Sequence, residues 1–298
     1  MTHIASLVSN PAAPALDGAL LERLAARLPA PSAPRWLAAG IAADLPFSPD
    51  AGADLTALAA ALREEAGAAP VDVNILPASG RRKRLFVADM DSTMIGQECL
   101  DELADFVGLK ERVAAITARA MRGEIAFEPA LRERVTLLRG LSAAVVDRLL
   151  GERITLTPGA RTAVATMRAH GCHAVLVSGG FTVFTEAIAA RLGFHAHRGN
   201  VLEMADGALL GTVAEPILGR AAKLEALIET RAALGLASAE TLAVGDGAND
   251  LAMLGEAGLG VAFRAKPAVA AAAAARIEHG DLTALLYLQG YRREEFSE

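Results

Sequence analysis

The sequence predicts an α/β protein: a doubly wound parallel sheet with a helical insert, preceded by a small α+β domain. Three observations predict this fold class. From residue 155 to the C-terminus, strand-like and helix-like segments alternate, which is typical of a parallel sheet with helices on both faces. Residues 98–151 show helical spacing without a strand pattern. Residues 1–80 have the element order of a separate βαββαβ unit.

The N-terminal unit is predicted from short alternating and helical stretches. We expect strands at 3–8, 34–47 (two short ones) and 71–76, and helices at 16–28 and 54–66. This order predicts a ferredoxin-like sandwich as a domain over residues 1–80. No catalytic constellation occurs in it, so a scaffold, a dimerisation surface and a regulatory ligand site all stay open as its role.

The remaining chain is predicted to form the sheet and its insert. An apolar run at 85–88 indicates a buried strand, and the basic cluster 81–84 before it is expected to be a solvated linker. Further elements are expected as strands at 173–177, 241–244 and 259–263, a hairpin at 200–213 and helices at 158–170, 181–192 and 282–288, with a helix-compatible Ala-rich run at 268–275. Residues 81–95 and 155–298 form the predicted core domain, and 96–154 form a helical cap, broken at Gly108, Gly123 and Gly140, that would cover the site.

Composition excludes several classes of protein. The chain has 298 residues, 53% of them hydrophobic, and a net charge of −6 with dispersed basic residues, which argues against nucleic acid or an anionic membrane as partner. Its two cysteines show no metal or disulfide spacing. Without a run of about 18 apolar residues or a basic leader, we expect neither a membrane span nor a signal peptide, and a cytoplasmic location.

Two acidic motifs follow predicted strands. In DMDST (89–93), Asp89 and Asp91 are two residues apart and can point to one side of the strand end. Two such charges repel by roughly 4 kcal/mol at ~4 Å and an effective dielectric near 20, which a metal ion would relieve. GDGAND (245–250) adds Asp246, Asn249 and Asp250, whose helical spacing would place them together. Oxygen ligands without His or Cys suit Mg²⁺, although a solvated turn and a capped helix entry are the alternatives.

Two further segments suit an anion. Ser178 can donate to a phosphate oxygen, and Gly179 and Gly180 let backbone N–H groups approach it. Lys223, early in an amphipathic helix, offers the positive charge that phosphoryl transfer needs. Each is also typical of an ordinary turn or surface lysine. Because all four segments follow strands of one sheet, we expect them to meet at its carboxyl edge.

With DMDST, SGG, the lysine and GDGAND in this order, the chain from residue 84 onward resembles the haloacid dehalogenase superfamily of phosphatases. Residues 95–108, 116–141 and 281–291 resemble the phosphoserine phosphatases within it. The resemblance implies Mg²⁺-dependent hydrolysis of O-phospho-L-serine to L-serine and phosphate, the last step of serine biosynthesis. It implies that Asp89 attacks phosphorus to give an aspartyl phosphate, and that Asp91 acts first as acid and then as base.

The resemblance also implies ligands for the metal and the substrate. Mg²⁺ is expected on the side chains of Asp89 and Asp246 and the backbone carbonyl of Asp91, with Asp250 in support. The expected substrate-binding residues are Ser178, Gly179, Gly180, Lys223 and Asn249 for the phosphate, Glu98 and Arg134 for the ammonium and carboxylate, and Met121 and Phe127 for the apolar wall. The element order of the N-terminal domain resembles that of ACT-like, amino-acid-binding domains.

Two alternatives to hydrolysis stay open. The aspartyl phosphate could pass its phosphoryl group to an acceptor such as homoserine, because exclusion of water depends on the closed cap. A non-catalytic sensor of phosphorylated metabolites is the other. A second copy of the chain, giving a homodimer, is the candidate protein partner.

Overall fold

The N-terminal sheet of the computed structural model is antiparallel, with strand order β2-β3-β1-β4. The structure describes residues 1–121, 124–219 and 221–298, without the side chain of Met121. The elements of this part are β1 (His3–Ser9), α1 (Gly18–Ala25), β2 (Arg35–Ala38), β3 (Ala42–Phe47), α2 (Leu55–Ala66) and β4 (Val71–Pro77). The predicted ferredoxin-like order is therefore confirmed.

Both helices of this unit begin where the sequence offers a capping carboxylate. Asp17 accepts a hydrogen bond from the Leu20 N–H, and Asp54 accepts hydrogen bonds from the N–H groups of Thr56 and Ala57. These side chains satisfy N–H groups that have no partner within the helix. The buried faces of the two helices then pack on one side of the sheet.

The first strand of the larger sheet, β5 (Leu85–Ala88), leads through a turn over Met90–Met94 into the predicted all-helical insert. The insert contains α3 (Cys99–Phe106), α4 (Lys110–Met121), α5 (Phe127–Thr136) and α6 (Ala144–Glu152). Gly108 and Gly140, at two predicted breaks, take positive φ angles of 74° and 80°. The third predicted break, Gly123, lies outside the described residues.

The chain then alternates between helices and strands, as predicted. Its elements are α7 (Ala160–Ala169), β6 (His173–Phe181), α8 (Thr182–Leu192), β7 (Ala196–Asn200), β8 (Leu202–Ala205), β9 (Ala208–Val213), α9 (Ala222–Ala233), β10 (Thr241–Gly245), α10 (Leu251–Glu256), β11 (Leu259–Phe263), α11 (Pro267–Ala272), β12 (Ala275–Ile277) and α12 (Ala284–Leu288). Six strands form a parallel sheet in the order β12-β11-β10-β5-β6-β7. Strands β8 and β9 form the predicted hairpin, which turns at Asp206 and Gly207 with positive φ at both.

Both faces of the parallel sheet are covered. Successive residues of β5 point to opposite sides, so Phe86 and Ala88 pack into one apolar cluster while Leu85 and Val87 pack into the other. The continuous apolar run of this strand follows from burial on both faces. The predicted doubly wound α/β core is confirmed. None of the helices that the structure describes is long and apolar enough to cross a bilayer.

Two local predictions are wrong. The Ala-rich run 268–275 does not stay helical: α11 ends at Ala272, and the edge strand β12 begins at Ala275. Arg81, expected in a solvated linker, has a side chain only 12% exposed and forms an ion pair with Asp44 at 2.5 Å. Arg81 also donates to the backbone carbonyls of Tyr287 and Leu288. It therefore links the N-terminal sheet to the C-terminal helix.

The N-terminal unit contacts the core along the β12 edge. The Asn74 amide donates to the Arg276 carbonyl at 2.9 Å and accepts from the Arg276 N–H at 2.8 Å. Asp72 accepts hydrogen bonds from three consecutive N–H groups, those of residues 278–280. Side chains of β4 thus satisfy backbone groups beside the edge strand β12. The domain boundaries at residues 80, 95 and 154 and the homodimer stay predictions.

The β8–β9 hairpin is hydrogen-bonded to the insert. Leu209 donates its N–H to the Leu141 carbonyl and accepts from the Gly140 N–H, both at 2.8 Å. The Ala143 N–H donates to the Gly207 carbonyl, also at 2.8 Å. Although the hairpin follows the core strand β7 in sequence, its contacts therefore join it to the cap.

Candidate active site

The site lies at the carboxyl edge of the parallel sheet, where β5 and β10 end at similar heights beside the longer strand β6. Ala88 of β5 is paired with Val244 of β10 on one side and with Leu176 of β6 on the other. Asp89 and Asp246 therefore leave the sheet side by side, next to Ser178 in the last part of β6. This placement agrees with the sequence prediction.

Asp89 is held beside a buried lysine. The residue is 5% exposed, and its Oδ1 accepts a hydrogen bond from the Met90 N–H at 2.7 Å and lies 2.7 Å from Lys223 Nζ. Lys223, 4% exposed, donates to Asp250 Oδ1 at 2.6 Å. The other oxygen of Asp250 accepts from the Gly247 N–H at 3.0 Å. One ammonium therefore bridges carboxylates from two strand ends.

Three carboxylates converge around this lysine. One oxygen each of Asp89, Asp246 and Asp250 lies within 4.8 Å of the others. Thr93 Oγ1 donates to Asp246 Oδ1 at 3.4 Å. Among the described residues, one ammonium, that of Lys223, forms ion pairs with these carboxylates, so the cluster keeps a negative excess, and its donors are all hard carboxylate oxygens. Both facts fit a hard divalent cation.

The electrostatics of the cluster favour added positive charge. Burial raises the pKa of Asp89 well above its ordinary value; the Lys223 ammonium opposes this, and repulsion from Asp250 adds to it. Burial and repulsion from Asp250 likewise raise the pKa of Asp246. Burial alone would lower the pKa of Lys223, but Asp89 and Asp250 more than offset it, and that pKa lies above its usual range. Lys223 thus stays charged, whereas ionisation of Asp89 and Asp246 costs free energy.

Asp91 is oriented by different partners. Its Oδ2 accepts a hydrogen bond from Ser178 Oγ at 2.8 Å, and its Oδ1 accepts from the Cys99 N–H at 2.8 Å. Ser178 Oγ in turn accepts from the Gly180 N–H at 2.8 Å. A Cβ at Gly180 would lie 3.0 Å from Ser178 Oγ and 3.3 Å from Asp91 Oδ2, so a side chain there would crowd both. Asp91 is therefore fixed against residues 178–180 near the end of β6, which are called the phosphate loop here after their predicted role.

Glu98, on the cap side, faces Asp91. Ser92 takes a φ of 55° and donates its hydroxyl to Glu98 Oε1 at 2.6 Å. Burial by neighbouring groups and repulsion from Asp91 raise the pKa of Glu98 to about 7.

Arg134 and Phe127 on α5 complete the cap side. Arg134 is half-buried; it donates from Nε to the Ala130 carbonyl at 3.2 Å and interacts electrostatically with Asp101 and Glu98. The Phe127 ring covers the phosphate loop, since a Cβ at Gly179 would lie 3.6 Å from Phe127 Cζ. Met121 ends α4, but its side chain lies outside the described part of the chain.

The structure brings together most of the predicted site residues, with three differences in detail. Asp250 precedes α10, which begins at Leu251, so the helical spacing argued from the sequence is wrong; a turn brings its carboxylate to the cluster. Asn249 is exposed on that turn. Lys223, expected on phosphate, contacts Asp89 and Asp250 here.

One buried residue of the site was not predicted from the sequence. Asn200, at the end of β7, donates to the Gly179 carbonyl. The sequence offers only an asparagine after a short polar segment, which is typical of any turn.

Residues 86–255 match the family model of haloacid dehalogenase-like hydrolases. The chain belongs to this family. The haloacid dehalogenase-like match begins within β5 and ends within α10, so it spans both acidic motifs and the phosphate loop. The resemblance stated from the motifs is thereby confirmed.

Known relatives extend the comparison beyond the family. A phosphoserine phosphatase of Streptomyces coelicolor is 46% identical over 246 residues, which is 82% of this chain but 60% of the relative. A solved haloacid dehalogenase family hydrolase of Salmonella enterica serovar Typhi, t0658, has a TM-score of 0.86 at 30% identity and covers 96% of this chain and 98% of its own. A solved phospho-aspartyl intermediate analogue of phosphoserine phosphatase has a TM-score of 0.63 at 39% identity, covering 69% of this chain and 98% of its own.

Proposed function

We propose that the chain is a Mg²⁺-dependent phosphoserine phosphatase that hydrolyses O-phospho-L-serine to L-serine and phosphate. One observation carries the proposal: two carboxylates follow β5, one beside a buried lysine and two further acids, the other hydrogen-bonded to the phosphate loop. A nucleophile and a separate proton carrier are what hydrolysis through a covalent intermediate needs. The curated relative and one solved neighbour named phosphoserine phosphatase support this substrate.

The phosphate group would bind between the phosphate loop and Lys223. The Gly179 N–H, the Gly180 N–H and the Ser178 hydroxyl would donate to the anion, the last two in exchange for their present partners, Ser178 Oγ and Asp91. A Cβ at Gly180 would crowd this site. The Lys223 ammonium, in contact with Asp89, would meet the same phosphate from the opposite side. Its charge would offset the negative charge that grows during transfer. Asn249, which is exposed, is assigned a lesser role at the edge of the phosphate site.

Asp89 would act as the nucleophile. Met90 and Lys223 both contact its Oδ1, so we assign the attack on phosphorus to Oδ2. The new bond from Asp89 to phosphorus forms as the bond from phosphorus to the serine oxygen breaks, and Asp91 gives its proton to that oxygen. A water molecule then attacks the aspartyl phosphate, Asp91 takes a proton from it, and phosphate leaves with Asp89 restored.

Mg²⁺ would be held by the side chains of Asp89 and Asp246 and by the backbone carbonyl of Asp91, with Asp250 in support. When bound, it supplies positive charge that lets these acids and the phosphate lie close together. The carboxylate donors and the single competing ammonium fit this role.

Selectivity for phosphoserine would come from the cap. The substrate carries an ammonium and a carboxylate beside its phosphate, and Glu98 and Arg134 offer one partner for each. Phe127, over Gly179, would form the apolar wall between them, together with Met121. These residues belong to the insert, so a change of insert would change the substrate while the phosphate site stayed the same.

The proposal is tested by phosphate release from O-phospho-L-serine. The wild-type protein should turn the substrate over with Mg²⁺ and stop when EDTA removes the metal. Asp89→Asn should abolish turnover, because an amide is a poor nucleophile, while far-UV circular dichroism stays unchanged. Absence of release by the wild-type protein, or release by Asp89→Asn at the wild-type rate, would contradict the assignment.

A further inference from the structure

Asn200 is buried behind the phosphate loop with its whole side-chain amide in use. The residue is 1% exposed. Its Nδ2 donates to the Gly179 carbonyl at 2.9 Å and to the Leu218 carbonyl at 3.3 Å, and its Oδ1 accepts from the Leu218 N–H at 2.7 Å. The amide therefore pairs with Leu218 as a backbone peptide would, and has one donor directed to the phosphate loop.

The bond to Gly179 determines how the next peptide group is oriented. A trans peptide is planar, so its carbonyl and its N–H point in opposite directions. With the Gly179 carbonyl held by Asn200, the Gly180 N–H points toward Ser178 Oγ, to which it donates at 2.8 Å. Ser178 then donates to Asp91 at 2.8 Å. A continuous chain of hydrogen bonds thus runs from Asn200 to Asp91.

Strand β7 also contacts the loop through its backbone. A Cβ at Gly199 would lie 3.2 Å from the Gly180 carbonyl oxygen and from the Phe181 carbonyl carbon. Such distances are shorter than ordinary van der Waals contact, so the end of β7 lies directly against the loop. Asn200 therefore acts from a fixed position.

The same amide also joins the two ends of the segment that contains the β8–β9 hairpin. Residues 201–217 leave the core after Asn200 and return at Leu218, and the Ala214 N–H donates to the Val201 carbonyl at 2.9 Å between them. Asn200 thus links the phosphate loop, through Gly179, to Leu218, where the chain returns to the core ahead of Lys223.

We propose that Asn200 is a positioning residue for phosphate binding: its amide fixes the orientation of the Gly179–Gly180 peptide, and with it the Gly180 N–H and the Ser178 hydroxyl that would turn to the phosphate oxygens when the anion binds. The proposal rests on the proposed function in that it takes this loop as the phosphate site. Asn200 itself touches no reacting atom. Its loss should therefore weaken affinity for the phosphate group itself, whichever phosphomonoester carries it.

Asn200→Asp is the test, because it keeps the shape and the acceptor for the Leu218 N–H but removes the amide that donates to the Gly179 and Leu218 carbonyls. Asn74→Asp is the matched control: Asn74 is also 1% exposed and pairs with a backbone peptide, that of Arg276, at the opposite edge of the sheet. Binding of inorganic phosphate in the presence of Mg²⁺ is measured by calorimetry, alongside KM for phosphoserine. We expect Asn200→Asp to weaken phosphate binding and raise KM about tenfold, the loss of one to two hydrogen bonds, while Asn74→Asp stays within twofold of wild type.

The outcomes separate this proposal from the proposed function. Equal phosphate affinity in Asn200→Asp and wild type would overturn the positioning role, and so would equal losses in both variants, which would indicate general destabilisation. Wild-type protein that binds phosphate but does not hydrolyse phosphoserine would refute the proposed function and leave the positioning role supported. If Asn200→Asp does not fold, Asn200→Ser replaces it under the same criteria, because its hydroxyl is too short to reach both carbonyls.

Discussion

Replacing Lys223 with methionine should unbalance the charge of the site more than any exposed substitution could. Lys223 is 4% exposed and contacts Asp89 at 2.7 Å and Asp250 at 2.6 Å. Methionine keeps much of the apolar stem but removes the ammonium. Three clustered carboxylates, with Asp250 fully buried, would then lack their cation.

The expected cost follows from that burial. Removing one partner of a buried ion pair typically destabilises a protein by about 3–5 kcal/mol, because the remaining charge is left uncompensated in a medium that solvates it poorly. Mg²⁺ bound to the native cluster should recover part of this lost stability, since a ligand at about a hundred times its Kd adds roughly 2.7 kcal/mol to the free energy of unfolding. The variant should gain more from Mg²⁺ than the wild-type protein does, because its cluster carries one more net negative charge.

Urea unfolding followed by far-UV circular dichroism, with and without Mg²⁺, measures both effects. Lys110→Met is the matched control: Lys110 is 65% exposed and lies 3.6 Å from Asp105, and such surface pairs contribute less than about 1 kcal/mol. If Lys223→Met costs no more than this control, or gains no more from Mg²⁺ than the wild-type protein, the account of the cluster is refuted.

Two predictions concern the cap. Arg134→Ala should reduce kcat/KM for phosphoserine by about tenfold to a hundredfold, because a charged hydrogen bond of roughly 1.5–3 kcal/mol is lost. The kcat/KM for an aryl phosphate should stay nearly unchanged. Equal losses on both substrates would remove Arg134 from substrate recognition. The pKa of Glu98, about 7, means that the carboxylate is only partly ionised at neutral pH, so affinity for the substrate ammonium should rise as pH rises through 7. A pH profile of kcat/KM checks this, and Glu98→Gln should lack that rise; an unchanged profile would contradict it.

Much of the fold follows from local signals in the sequence. Alternation and helical spacing predicted the ferredoxin-like unit, because strands β1, β3 and β4 carry strand-like apolar patterns and the two helices have an apolar face. The apolar run of β5 predicted a strand covered on both faces. Edge strand β12 escaped prediction, since it is short and follows an alanine-rich helix whose pattern continues into it.

The sequence also predicted where the chemistry gathers. Motifs after parallel strands reach the same edge of the sheet whatever the details of packing, so Asp89, Asp246 and Ser178 could be placed together from their positions alone. The type of ion followed from oxygen donors without His or Cys.

Only the tertiary structure decided which groups contact each other. Lys223 lies between Asp89 and Asp250, and Asn200 reaches Gly179 from a separate strand, although nothing in the local sequence of either residue indicates its partner. Arg81 likewise became an internal ion pair with Asp44, contrary to the prediction. Local sequence determines backbone propensity and burial, which act over a few residues. Ion pairs and hydrogen bonds depend on distances of a few ångströms between segments far apart in the chain, and those distances exist only after the sheet has formed.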